Sequence, residues 1–338
     1  MINDSRVTGH QLAAMLGLSQ PTVSRALRGH KKVNEQTRLR VLELAKELNY
    51  SVDHNALRLR TRQSYTIALV LLCRPGENRA NINPFYLSLL GCIAASAADH
   101  GYNLIVSFQD NESNFFANYT GSGQADGLIV IGSGQNVAGW SFFGQQVKHN
   151  APMLCWGASK EDLMSIKSDN PQGVRLAIAH LQAKGCRSIA FVGPTDSEQP
   201  SFQDRMATYL QVMAEQGLPV ICPPLPENAV REEQGYAATA SLLRDKVEFD
   251  GLFAANDFIA LGAMRALADH NVQVGKDVRV VGFDGIATGA YSQPPLTTIE
   301  QDYRLAGEML VNALIAAMKG EAPDLSPVPV QLLERASA

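Results

Sequence analysis

Gln20, Ser24, Arg25 and Arg28 recur at a spacing that places them along one side of a short helix. Their chemistry is that of base reading. A glutamine amide offers one donor and one acceptor to adenine, and an arginine fork offers two parallel N–H groups to guanine. Lys31 and Lys32 follow within a few residues. A lysine at such a place neutralises phosphate and fixes register without reading sequence.

Side chains used this way need a rigid support behind them, and the first fifty residues supply one. Thr8-x-x-Gln11 has the form of a capping box, in which threonine accepts from a first-turn amide and glutamine reaches back. It opens a helix over 9–16 with Leu12 and Leu16 on one face, and Gly17 ends it. Ser19 caps a second helix, and Pro21 sits in the first turn, where a missing amide proton costs little. That helix runs to about Leu27 and turns Val23 and Leu27 inward. Asn34 caps a third helix with Thr37, Val41, Leu44 and Leu48 as its inner stripe. Ala13, Gly17 and Val23 are spaced so that two helices cross at a tight turn. The expected result is a helix-turn-helix whose second helix lies in the major groove of DNA. Residues 51–63 are basic, with Arg58, Arg60 and Arg62, and read as a linker. Within it, residues 55–60 have the length of one or two helical turns, too short to hold without a partner.

Composition narrows the alternatives. A chain of 338 residues predicts two or three domains, and 46% hydrophobic residues give each a core. The net charge of −4 is unevenly spread: residues 1–63 carry eleven Lys and Arg against five acids, while the remainder is acidic by ten. A basic head on an acidic body fits a nucleic-acid-binding module joined to one of another kind. No apolar run reaches the ~18 residues of a membrane span, and no basic-then-apolar leader opens the chain. The five cysteines are scattered and never spaced Cys-x-x-Cys, so neither a disulfide framework nor a zinc site is expected, and the cytoplasm fits. The seven histidines have no metal-ligand spacing. No metal and no cofactor are expected. The glycines show no dinucleotide or phosphate-loop pattern, and no G-x-S-x-G occurs, which argues against an enzyme. A solute-binding protein for a transporter is the alternative, opposed by the basic head.

From residue 64 onward, apolar runs near 67–72, 103–108, 127–131, 153–156, 188–192, 220–221, 251–254 and 278–282 alternate with stretches of helical length. Such alternation predicts an α/β architecture: doubly wound parallel sheets, more readily two lobes than one. Ligands in such folds bind at the carboxyl ends of strands. Asn256 and Asp284 end strands, Phe85 follows the first strand, and Trp156 ends the fourth. An aspartate there can accept from two vicinal hydroxyls. The two aromatic rings read equally well as sugar platforms or as core.

Several motifs in one order resemble the LacI/GalR family of bacterial transcriptional repressors along essentially the whole chain. They are Val7-Thr8, Gly17-Leu18-Ser19, Thr22-Val23-Ser24-Arg25, Val33-Asn34-x-x-Thr37-Arg38 and Leu48-Asn49-Tyr50 in the head. In the body they are Ala255-Asn256-Asp257, Ala260-Leu261-Gly262-Ala263, Val281-Gly282-Phe283-Asp284 and Pro295-Leu296-Thr297-Thr298-Ile299. The resemblance implies a headpiece over 1–50, a hinge over 51–63 and a periplasmic-binding-protein-like effector and dimerisation domain over 64–338. One lobe is expected at about 64–167 with 300–325, the other at about 168–299 with 326–338, with helix 303–319 returning to the first. It further implies a hinge helix that forms on DNA and wedges Leu59 into the minor groove. The DNA-contacting set is then Thr8, Ser19, Gln20, Pro21, Thr22 and Ser24, followed by Arg25, Arg28 and Asn34. Asn55, Leu59 and Arg60 join it from the hinge. Arg205 and Gln301 match effector-cleft residues and join Phe85, Trp156, Asn256 and Asp284. Gly157 and Thr208 depart from the family pattern, and the stretch 111–123, where a helix is expected, is short and polar for one, so the effector is expected to differ from familiar ones. The expected partners are pseudo-palindromic operator DNA, a sugar or sugar derivative and a second copy in a homodimer, with no membrane.

Overall fold

The computed structural model describes residues 7–27, 33–48, 50, 63–76, 82–147, 152–157, 163–195, 199–226 and 229–338. The chain divides into two compact units, Met1–Ser64 and Tyr65–Ala338.

In the first unit α1 spans Gly9–Leu16, α2 Gln20–Leu27 and α3 Glu35–Glu47. The capping box forms: Gln11 N–H donates to Thr8 Oγ1 at 3.3 Å, and Thr8 N–H donates to Gln11 Oε1 at 2.8 Å. Gly17 closes α1 in the left-handed conformation. Ser19 and Asn34 accept from Thr22 N–H and Thr37 N–H, so all three helix starts are satisfied locally. Leu12, Ala13, Val23, Ala26, Val41 and Ala45 make the buried core. Leu16, Leu27, Leu44 and Leu48, expected inside, lie at its margin.

The second unit holds two five-stranded sheets. The first is built from β1 (Thr66–Leu72), β2 (Asn103–Gln109), β3 (Gly127–Gly132), β4 (Met153–Trp156) and β5 (Ser165–Ile166) in the order β2-β1-β3-β4-β5, all parallel. Every residue of β1 is buried, because helices cover both faces. Alternate side chains serve opposite cores. Ile67, Leu69 and Leu71 pack with Leu89 and Ile93 of α4 (Pro84–Asp99) and Leu310 and Leu314 of α10 (Tyr303–Met318). Ala68, Val70 and Leu72 pack with Trp140 and Phe143 of α5 (Val137–Gln146).

The second sheet runs β10-β9-β8-β7-β6. Its strands are β6 (Ile189–Val192), β7 (Gly251–Ala254), β8 (Arg279–Asp284), β9 (Thr297–Gln301) and β10 (Val330–Leu333), parallel except for β10 against β9. Helices α6 (Asn170–Ala183), α7 (Pro200–Gln216), α8 (Arg231–Arg244) and α9 (Asp257–Asp269) flank it. The chain passes between the lobes three times: after β5, after β9 into α10, and after α10 into β10. Two of these passages touch, through a bridge between Ser168 and Val328.

Two sequence expectations need correction. The run at 220–221 contributes a single bridge from Ile221 to Ala190 and no strand. Pro219, Pro223 and Pro224 bracket it and cannot donate to a ladder. The stretch 111–123 forms turns instead of a helix. Asn114 Oδ1 accepts from the amides of Asp110 and Asn111, and Asn111 Oδ1 accepts from that of Ser113. Such local side-chain bonds compete with helical ones.

Candidate functional site

In the first unit Arg25, Pro21 and Ser19 are exposed, and Gln20, Thr22 and Ser24 are half-buried along α2. Thr8 and Asn34 stand at the starts of α1 and α3, with their side-chain oxygens engaged as caps. Arg28, Lys31, Lys32, Asn55, Leu59 and Arg60 lie outside the described residues.

In the second unit a cavity of about 530 Å³ opens between the two sheets. Phe85, Trp156, Arg205, Asn256, Asp284 and Gln301 all line it. They come from both lobes and from strand ends or helix starts, as an α/β crevice requires.

Arg205 stands on α7 and is 4% exposed. Its Nε donates to Asn170 Oδ1 at 2.8 Å and its Nη1 to the Ala255 carbonyl at 2.6 Å. The same Nη1 is 3.5 Å from Asp284 Oδ1, and the guanidinium lies 3.5 Å above the Phe283 ring centre. Burial lowers its pKa, and the charge of Asp284 opposes that shift. The fork is therefore aimed by four neighbours before any ligand arrives.

Asp284 ends β8 with φ of 122°. A non-glycine residue in this region costs about 1–3 kcal/mol and persists only where its surroundings enforce it. Tyr303 Oη donates to its carbonyl at 2.5 Å, and Gln301 Nε2 donates to its Oδ1 at 2.7 Å. Gln301 Oε1 accepts in turn from Ser168 Oγ at 2.5 Å. Residues near two interlobe passages are thus wired to the cleft carboxylate. Burial pushes Asp284 up to about 6, against the pull of Arg205. Behind it Asp257 accepts from Thr298 Oγ1 at 2.5 Å and from Ile286 N–H at 2.8 Å. Burial and the neighbouring Asp284 push Asp257 up to about 8.

Asn256 uses its Oδ1 to cap α9, accepting from Ile259 N–H at 2.9 Å. Phe85 and Trp156 sit 6.0 Å apart, ring centre to ring centre, and each is 6% exposed. Both belong to the first lobe's core as well as to the cavity wall. Gly157 borders the cavity at φ of +65°, a conformation that glycine adopts without steric cost. Thr208 is buried and returns its hydroxyl to the Asp204 carbonyl at 2.7 Å.

Sequence reasoning missed Arg74, Tyr86, Gln199 and Arg231, which also line the cavity. Arg74 follows the carboxyl end of β1 and Arg231 opens α8. The strand-end rule that singled out Asn256 applied equally to Arg74. Arg231 lies 4.8 Å over the Phe202 ring and donates to Gln234 Oε1 at 2.8 Å. Among the described residues there is no group of three or more acids, histidines and cysteines fit for a metal ion, and no helix is long and apolar enough to cross a membrane.

Two family models match the chain. Residues 11–53 match the bacterial regulatory proteins of the lacI family, and residues 178–338 match the periplasmic binding protein-like domain. The HTH-type transcriptional regulator CelR of Thermobifida fusca is 27% identical over 97% of this chain and 95% of its own length. The ribose operon repressor of Escherichia coli K12 is 27% identical over 98% and 99%. The lac repressor dimer bound to operator and the anti-inducer ONPF superposes with a TM-score of 0.75 at 27% identity, covering 98% of this chain and 99% of that one.

Proposed function

The chain belongs to the LacI/GalR family of bacterial transcriptional regulators, and on that premise we propose that it is a sequence-specific repressor switched by a sugar-like effector. It acts as a homodimer on pseudo-palindromic operator DNA in the cytoplasm, over genes of carbohydrate uptake or catabolism. It binds its ligand without transforming it and is not an enzyme. In the headpiece Gln20, Ser24 and Arg25 read base edges, and the capping residues hold α2 in position. In the cleft Asp284 accepts from ligand hydroxyls, Arg205 donates to them, and Asn256 offers its amide N–H groups. The edges of Phe85 and Trp156 form an apolar wall. A ligand seated on Asp284 pulls on Gln301 and Ser168, and so on the passages whose geometry sets the angle between the lobes.

One observation carries this reading: side chains from both lobes converge on one cleft, and Gln301 joins its carboxylate to the interlobe segments. The test begins with selection of a duplex from random DNA by the full-length protein. Fluorescence anisotropy on that duplex is then followed against salt and against a panel of sugars and sugar derivatives. A salt-resistant preference for a palindrome, altered by at least one carbohydrate, is the expected result. A preference no greater than that for random duplex, with every carbohydrate, overturns the reading.

A further inference from the structure

Among the described residues the charges around the cleft do not balance. Arg74, Arg205 and Arg231 line it, against Asp284 and Glu232. Asp284 is already matched to Arg205, Asp257 stands behind it with its proton retained near neutrality, and Glu232 is exposed. Among the described residues neither Arg74 nor Arg231 forms a salt bridge. Arg231 is instead laid against an aromatic ring, and Arg74 lies close enough to disfavour its charge. Burial and this repulsion bring Arg231 down to about 10, still protonated at neutral pH; Tyr86 and Asp284 pull the other way. Two like charges held together at the wall of a cavity are unfavourable in isolation and become favourable when an anion lies between them. The local backbone agrees. Gln199 and Val230 precede α7 and α8 without any side-chain cap bond, and both line the cavity. The other helices whose first turns line the cleft, α4, α5 and α9, are capped by Asn83, Asn136 and Asn256.

We propose that Arg74 and Arg231 form an oxyanion subsite, and that the effector is a sugar or polyol carrying a phosphate monoester. This rests on the preceding reading of the cleft as the effector site and adds the ligand's charge. A monoester carries about −1.5 to −2 at pH 7, which matches two guanidinium groups that form no salt bridge among the described residues better than the single charge of a carboxylate does. The hydroxyl-bearing part of the ligand lies toward Asp284 and Arg205, and the phosphate toward Arg74 and Arg231.

The experiment uses the full-length chain at constant ionic strength in chloride. Inorganic phosphate, hexose phosphates, hexuronates and the parent hexoses are titrated by calorimetry and by thermal shift. Inorganic phosphate raises the melting temperature saturably. The best hexose phosphate binds at least about tenfold more tightly than its parent hexose, and Arg231→Gln and Arg74→Gln each remove about that factor while leaving the hexose unchanged. Hexoses that bind as well as their phosphates, or phosphate stabilisation that survives both substitutions, overturn the subsite and leave the sugar cleft standing. Hexuronates that exceed the phosphates overturn the assignment to a monoester. Arginine-dependent phosphate binding with no response to any polyhydroxy group supports the subsite and sinks the cleft reading on which its ligand was built.

Discussion

Arg205 holds the cleft together as well as facing it. Its guanidinium satisfies Asn170 and the Ala255 carbonyl and faces Asp284, all out of solvent. Truncation leaves a buried carboxylate unpaired, a change that costs about 3–5 kcal/mol. Arg205→Ala therefore loses its effector response together with much of its stability, and the two effects must be separated. Arg205→Lys keeps the charge and discards the fork, so it stays folded with a lowered melting temperature and loses the ligand-dependent change in operator anisotropy. A full response in Arg205→Lys clears the guanidinium of any role in ligand binding. At the other end of the chain, Arg25→Ala costs about 1–3 kcal/mol on the selected duplex if the side chain reads a base. Equal weakening on random duplex would make Arg25 a phosphate contact. The buried acids act through pH. Asp257 and Asp284 titrate at about 8 and about 6 when folded, against ~3.9 unfolded. A carboxyl with a raised folded pKa stabilises at low pH, and that contribution is lost as pH rises through the folded value. Between about pH 4 and about pH 8 these two groups make stability fall with rising pH. Asp257→Asn, whose amide can donate to Thr298 Oγ1, flattens the slope in a melting series. An unchanged slope would show that Asp257 is ionised throughout.

The tightest contact between elements is that of α8 with α9. A Cβ on Gly262 would meet the Glu232 carbonyl oxygen at 1.9 Å, and one on Gly235 would meet that of Ile259 at 2.0 Å. Backbone touches backbone here, and no side-chain rotation relieves the clash. Gly262→Ala forces the helices apart at a cost of about 1–3 kcal/mol. Because α8 opens with Arg231, the same displacement weakens phosphate binding, which a melt and a titration on one variant measure together; full stability with full affinity would refute the packing argument. This contact marks where sequence reading stopped. Leu261-Gly262-Ala263 was legible as a motif, whereas the reason for its glycine lay on another helix. The caps at Thr8, Ser19 and Asn34 were legible because each bond closes within three residues. The pair Ser168 and Gln301 is separated by 133 positions, and no local period announces it. Strand β9 escaped notice because Thr297 and Thr298 are polar yet fully buried, their hydroxyls bonded to the Ala338 carbonyl and to Asp257. Arg74 and Arg231 were passed over for the same reason: each looks like ordinary surface charge until the fold brings them to one cavity.

At the scale of the molecule the proposed switch is a coupling free energy between the two units, which is measurable without knowing its path. If effector changes operator affinity by some factor, operator changes effector affinity by the same factor. A typical allosteric coupling of about 1–3 kcal/mol corresponds to roughly 5- to 150-fold. The unit from Tyr65 to Ala338 contains the whole cavity and both cores of its first lobe. A chain lacking residues 1–63 therefore keeps effector binding and loses DNA binding. Its effector affinity equals that of the intact protein without DNA and differs from that of the intact protein on operator by the coupling factor. Leu59→Ala discriminates further. If the hinge leucine wedges into the minor groove, its removal reduces operator bending and specific affinity and shrinks the coupling, while effector affinity in the absence of DNA stays fixed. Calorimetric titration of effector into the intact, truncated and Leu59→Ala proteins, each with and without operator, measures all of these quantities. Effector affinity in the intact protein that is indifferent to operator would mean that the cleft does not control the headpiece, whatever it binds.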